Sequence, residues 1–136
     1  MAHAARETMS GAVPATASGA SGEARGDMLT LLSEAEMIGA DAPRGVAPEL
    51  VRRYSLVEDA ATVRTAHLVA TAHGVYEARL NGVSVDDAVL NPGWTSYEWR
   101  LLVQVSDVTL LVREGGRDQE LALTLGNGWW RGALGF

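Results

Sequence analysis

From Val75 to Leu80 apolar and charged residues alternate, with Tyr76, Ala78 and Leu80 set against Glu77 and Arg79. Successive side chains of a strand point to opposite faces, so the segment predicts a half-buried β-strand with Tyr76, Ala78 and Leu80 inward. Asn81-Gly82 follows at once. Both residues accept the positive φ of a type I′ turn, which predicts a hairpin returning through Val83 and Val85. A period of two also marks Val63 to Ala72, with Ala66, Leu68, Ala70 and Ala72 on one face. Gln119 to Leu125 repeats it, with Leu121, Leu123 and Leu125 together. Glu49 to Leu56 and Arg100 to Val105 read as two further strands, and Asn91-Pro92-Gly93 as a turn. Asp107 is placed to cap a single helical turn through Leu111, which Gly115-Gly116 ends. A short helix is predicted around Leu29 to Ile38, before Gly39, Pro43, Gly45 and Pro48 break the chain. Short strands between turn signals, without long helices, predict an antiparallel β-sandwich.

Residues 1–27 lack this patterning. They are rich in Ala, Gly, Ser and Thr, with Val13 the one large aliphatic residue besides two methionines. Such a segment buries too little apolar surface to offset its ordering entropy, so it is expected to be a disordered leader, and residues 28–136 the folded domain. The leader has no apolar run of the 7 to about 15 residues a secretory signal needs, and no stretch of about 18 apolar residues suits a membrane span. A cytoplasmic location is the default expectation.

Composition narrows the chemistry. The 136 residues are 47% hydrophobic and 21% charged, a globular balance for one domain. All 11 basic residues are Arg, which excludes Schiff-base chemistry and lysine-dependent phosphate binding. The net charge of −6, with arginines scattered except at Arg52-Arg53, argues against nucleic acid as a partner. Without Cys there is no disulfide, thiolate nucleophile or thiolate zinc site.

No catalytic unit assembles in the sequence. His67 and His73 are six residues apart without an obvious third ligand, and His3 lies in the leader, so structural or surface roles are expected for all three. Asp86-Asp87 points to opposite faces of a strand and reads as a solvated turn. No Ser occupies a G-x-S-x-G elbow, and Gly126-Asn127-Gly128 is followed by two Trp where a nucleotide-binding helix should open. The informative feature is aromatic: six of eight aromatic residues are Trp94, Tyr97, Trp99, Trp129, Trp130 and Phe136. Flat ring faces suit the C–H faces of sugars, and a neighbouring Arg can bind hydroxyls. Trp94, Tyr97, Trp129, Trp130 and Arg131 are therefore the candidate carbohydrate-binding residues. For any one Trp, a place in the sandwich core is the competing expectation. On an extended segment Trp129 and Trp130 would face opposite ways, one inward and one outward.

The ordered elements together resemble the N-terminal domain of bacterial α-L-rhamnosidases. They are Gly74, Val75-Tyr76-Glu77, Asn81-Gly82, Pro92-Gly93-Trp94-Thr95, Asp107-Val108-Thr109 and Gly126-Asn127-Gly128-Trp129-Trp130-Arg131-Gly132. Upstream, Ala35-Glu36-Met37-Ile38-Gly39 and Leu50-Val51-Arg52-Arg53-Tyr54 are similar to further family elements, so the likeness spans residues 33–136. Asn127 stands where the family usually has Asp, and Met37 where it has Trp. The resemblance implies a jelly-roll-like, galactose-binding-type sandwich that assists rhamnoside recognition and packs beside a separate catalytic helical barrel. It implies hydrolysis of terminal α-L-rhamnose with inversion by two barrel carboxylates that have no counterpart here, so no catalytic residue is assigned. It also offers Glu98 and Asn127 as calcium oxygen ligands; no other cofactor is expected. A purely structural docking module and a stand-alone carbohydrate-binding module are the alternatives. With about six strands against the eight of a jelly roll, the sandwich is expected to be incomplete at its C-terminal side.

Overall fold

The computed structural model describes residues 6–8, 30, 32–43 and 45–132. Among them are strands β1 (Arg6–Thr8), β2 (Glu49–Ser55), β3 (His67–Ala70), β4 (Val75–Leu80), β5 (Val83–Ser84), β6 (Gln104–Asp107) and β7 (Asp118–Gly126). A 3-10 turn covers Ala60–Thr62, and two short helices follow, α1 (Thr109–Gly115) and α2 (Gly128–Arg131). Five strands form one sheet in the order β1-β2-β7-β4-β5, antiparallel except for the parallel β1–β2 pair. β3 and β6 form a second, antiparallel pair. β1 falls within the segment expected to be a disordered leader; the remainder of that segment lies outside the described residues.

The alternation of β4 places Tyr76, Ala78 and Leu80 in the core and leaves Glu77 and Arg79 exposed, as the sequence pattern requires. Ala72, Tyr76 and Ala78 pack with Leu68 and Ala70 of the smaller sheet and Leu123 and Leu125 of β7, which closes the sandwich. A second cluster, Leu80, Val108 and Val112, is covered by Leu56, Val63, Ala66, Leu111 and Leu121, so that α1 plugs one end. The Asn81-Gly82 turn has φ of 55° and 81°, the paired positive values that a type I′ hairpin needs.

Two strands are shorter or later than expected, and competing hydrogen bonds explain both. The periodicity of Val63 to Ala72 predicts one strand, but only His67–Ala70 pairs. The Arg113 guanidinium takes the carbonyls of Val63 (2.7 Å) and Arg64 (3.2 Å), and the Thr109 hydroxyl accepts from Ala66 N (2.9 Å), so this backbone is bound to α1. Arg100 to Val105 was the other strand, and it begins only at Gln104. Ahead of it, Thr95 Oγ1 donates to Arg100 O and Thr71 Oγ1 to Leu102 O, each at 2.7 Å. The helical turn expected through Leu111 continues to Gly115. Asp107 Oδ1 accepts Thr109 N at 2.9 Å, and hydrogen bonds from Thr109 hold its carboxyl below the ordinary carboxylate value.

A pair of amides, Gln119 buried and Asn81 half-buried, fastens the hairpin to this plug. Asn81 Nδ2 donates to Gln119 Oε1 (2.7 Å) and Leu111 O (3.1 Å), and its Oδ1 accepts Glu120 N (2.9 Å). Gln119 Nε2 in turn donates to Val112 O (3.0 Å) and to Gly116 O. A Cβ at Gly115 would overlap the Asn81 amide, so the contact depends on that glycine as well.

Asp86 was expected on a solvated turn. It is instead half-buried and accepts from Ala88 N (3.0 Å), Asn91 Nδ2 (3.2 Å) and Ser106 Oγ (3.1 Å), tying the loop after β5 to β6. Buried Asn91, followed by a cis bond to Pro92, presents its carbonyl to Tyr76 N at 2.6 Å. Burial, and then the Asp86 charge, push the Tyr76 phenol up to about 12. The neutral phenol is thus favoured by folding: its contribution is whole below pH about 10 and is lost as pH rises towards 12. Wild-type protein should therefore lose on the order of 2 kcal/mol across that window, and Tyr76→Phe should remove most of the loss. Urea unfolding at pH 9 and 11.5 checks this, and an equal decline in the two proteins would contradict the assignment.

Candidate functional site

The end of the sheet where β4 begins and β7 finishes is built by glycines. Val75 pairs with Gly126, which sets His73-Gly74 against Asn127-Gly128. Gly74 has φ +91°, and a Cβ there would lie 2.5 Å from Gly126 O and 2.8 Å from Asn127 O. Gly128, at φ +49°, would bring a Cβ to 3.1 Å from the Gly74 backbone. Only bare backbone allows such an approach at these torsions. It carries two rings together, one from the residue before Gly74 and one from the turn after Gly128.

Those rings are His73 and Trp130, stacked with centroids 4.4 Å apart and planes inclined by 21°. Tyr97, from the loop between Pro92 and Gln104, meets Trp130 edge-on at 5.6 Å and 81°, and His73 at 5.9 Å and 83°. Tyr97 is held by the fold of its own loop. Trp99 N and Arg100 N both donate to Ser96 O, at 2.9 and 3.1 Å, and buried Thr95 bonds across to Arg100.

The extended arrangement expected for Trp129-Trp130 does not occur. Gly126-Asn127-Gly128 ends β7, and Gly128–Arg131 forms one helical turn, with Arg131 N donating to Asn127 O at 3.3 Å. Adjacent helical residues diverge by about 100°, so neither indole is forced inward. Trp129 is 62% exposed and Trp130 47%. Trp94 and Trp99 are 64% and 85% exposed. The expectation that a given Trp belongs to the core therefore fails for all four. The interior is filled instead by Leu, Val, Ala and Tyr76 between two thin layers.

Of the five candidates, the structure brings Tyr97 and Trp130 into contact and places Trp129 and Arg131, both exposed, on the same turn as Trp130. Trp94 is exposed on the loop that carries Tyr97, outside the three-ring cluster. His73 was not among the candidates: the sequence gives it a structural or surface role, and the structure finds it exposed and stacked on Trp130. The signal available was Gly74 lying opposite Gly126-Asn127-Gly128, which becomes visible once β4 and β7 are paired. Glu98 and Asn127 are both exposed, and among the described residues no three His, Asp or Glu side chains are grouped to hold a metal.

Comparison with known proteins agrees with this architecture. Residues 61–136 match the family model described as the α-L-rhamnosidase N-terminal domain. An α-L-rhamnosidase of Streptomyces avermitilis is 47% identical over 73 residues, covering 54% of this chain and 7% of its own length. One from an Alteromonas species is 38% identical over 89 residues, covering 64% and 9%. Among solved structures, the Streptomyces avermitilis α-L-rhamnosidase complexed with L-rhamnose superposes with a TM-score of 0.60 at 41% identity. That alignment covers 66% of this chain and 8% of the other. The native enzyme of Aspergillus terreus gives 0.59 at 33% identity, covering 71% and 11%. The chain thus spans less than a tenth of the length of the two sequence relatives.

Proposed function

Because the chain belongs to the α-L-rhamnosidase N-terminal domain family, we propose that it serves an α-L-rhamnosidase as a non-catalytic module that helps to recognise terminal rhamnosides. The observation that carries this reading is the exposed ring cluster His73–Trp130–Tyr97, with Trp129 and Arg131 on the same turn. An indole face packs against the C–H face of a deoxyhexose, and an adjacent guanidinium donates to its hydroxyls. In this reading the bond is broken elsewhere in the enzyme, by a separate acid and base on a helical-barrel domain. Inversion would require those carboxyls to stand about 6.5–9.5 Å apart with water between them.

L-Rhamnose titrated into the 136-residue protein should change Trp fluorescence and release or absorb measurable heat. Trp130→Ala should weaken binding about tenfold or more, the scale of losing one anchoring aromatic residue. No response at saturating sugar would sink the proposal. A second reading is favoured by Trp99, the most exposed of the four indoles, and by Trp94 on the same loop. There the aromatic loop docks the catalytic domain, and substituting these rings in the whole enzyme changes its stability without changing affinity for rhamnosides.

A further inference from the structure

We propose that His73 is a positioning residue for the sugar platform: stacked on one face of Trp130, it turns the opposite indole face outward as the wall for a 6-deoxyhexose ring. The inference rests on the recognition role proposed above and adds to it a residue that never touches sugar.

Three ring separations carry the argument. His73 and Trp130 are 4.4 Å apart and nearly parallel, so one indole face is taken. Tyr97 is perpendicular to both rings and nearly equidistant from them, at 5.9 and 5.6 Å. If Tyr97 covered the outer face of Trp130, it would lie almost twice as far from His73 as it does. It therefore flanks the stack at its side and leaves the outer indole face clear of both rings, consistent with the partial exposure of Trp130.

The backbone under Trp130 cannot set this orientation alone. α2 has four residues, well below the length at which a helix holds itself in water. A large side chain on such a turn keeps one rotamer only if something packs against it, and His73, whose backbone adjoins the close Gly74 approach, does so on one face while Tyr97 meets the ring edge-on. Ordering one rotamer-rich side chain before binding is worth about 3- to 10-fold in affinity.

The test uses the whole chain, with L-rhamnose as the probe. His73→Ala should weaken binding about 3- to 10-fold with little change in Tm, and His73→Phe, which can stack in the same place, should restore it. In a Trp130→Ala background His73→Ala should have no further effect, since the two act as one unit. In the wild-type protein, nuclear Overhauser contacts from the rhamnose methyl and ring protons should reach the Trp130 indole and not the His73 ring. Wild-type affinity in His73→Ala, failure of Phe to rescue, persistence of the effect without Trp130, or direct sugar contacts to His73 would each overturn the positioning role while leaving rhamnose recognition intact. A wild-type protein that binds no rhamnose removes both.

Discussion

Gly74→Ala is expected to cost roughly 4 kcal/mol of folding stability and to abolish the stack of His73 on Trp130. Holding a residue with a Cβ in left-handed backbone costs about 1–2 kcal/mol. The larger part comes from overlap: the new methyl would sit 2.5 Å from Gly126 O and 2.8 Å from Asn127 O, so β4 and the end of β7 must separate. Both atoms belong to the backbone, and neither can swing aside as a side chain would. Against a typical total of about 5–15 kcal/mol, this is enough to leave a substantial fraction unfolded at moderate temperature. Urea unfolding measures the loss, and the near-ultraviolet circular dichroism of the indoles reports the stack. Gly39→Ala is the control, since a Cβ there meets nothing within 4 Å, and it should shift stability by no more than about 0.5 kcal/mol. A Gly74→Ala protein as stable as wild type would refute the close backbone packing.

Asn81→Ala should be nearly as damaging, also roughly 4 kcal/mol, by a different route. At φ 55° asparagine tolerates the left-handed conformation better than alanine does, which accounts for about 1 kcal/mol. The remainder is polar. Truncation leaves Glu120 N, Leu111 O and Gln119 Oε1 without the amide that satisfies them, and at these part-buried positions each lost partner costs about 1 kcal/mol, the lower end of the range for buried groups. Asn81→Gly separates the terms, because it keeps the turn and loses the amide. It should recover about 1 kcal/mol of the deficit and no more. Full recovery would show that the turn, and not the amide pair, is what matters at this position.

Much of the architecture is legible in the sequence because local signals agree with the tertiary outcome. β4 shows its register in its alternation, and Asn81-Gly82 specifies its own turn chemistry. Where the structure departs from the periodicity, side chains distant in sequence hold the backbone. Arg113 holds carbonyls about 50 residues earlier, and Thr109 takes the N–H of Ala66, so a segment with strand periodicity has no ladder to join. Asn81 shows the same limit from the other side. Its turn conformation is local and readable, whereas its bond to Gln119 depends on which strands become neighbours. The ring cluster was half visible. Aromatic composition singled out Tyr97 and Trp130, but His73 joins them only through the pairing of Val75 with Gly126.

The place of β7 in the sheet bears on how the chain acquires its shape during synthesis. β2 and β4 are not hydrogen-bonded to each other; both pair with β7, which is the last strand in the described chain order and lies between them. Until Asp118–Gly126 has left the ribosome, β2 has an unsatisfied edge facing β7's future position, and so does β4. The β4–β5 hairpin can form early from neighbouring residues, but the sheet's middle is filled last and from a distance. During that interval the nascent domain exposes two strand edges suited to pairing with other chains, the hazard that unpaired strands carry.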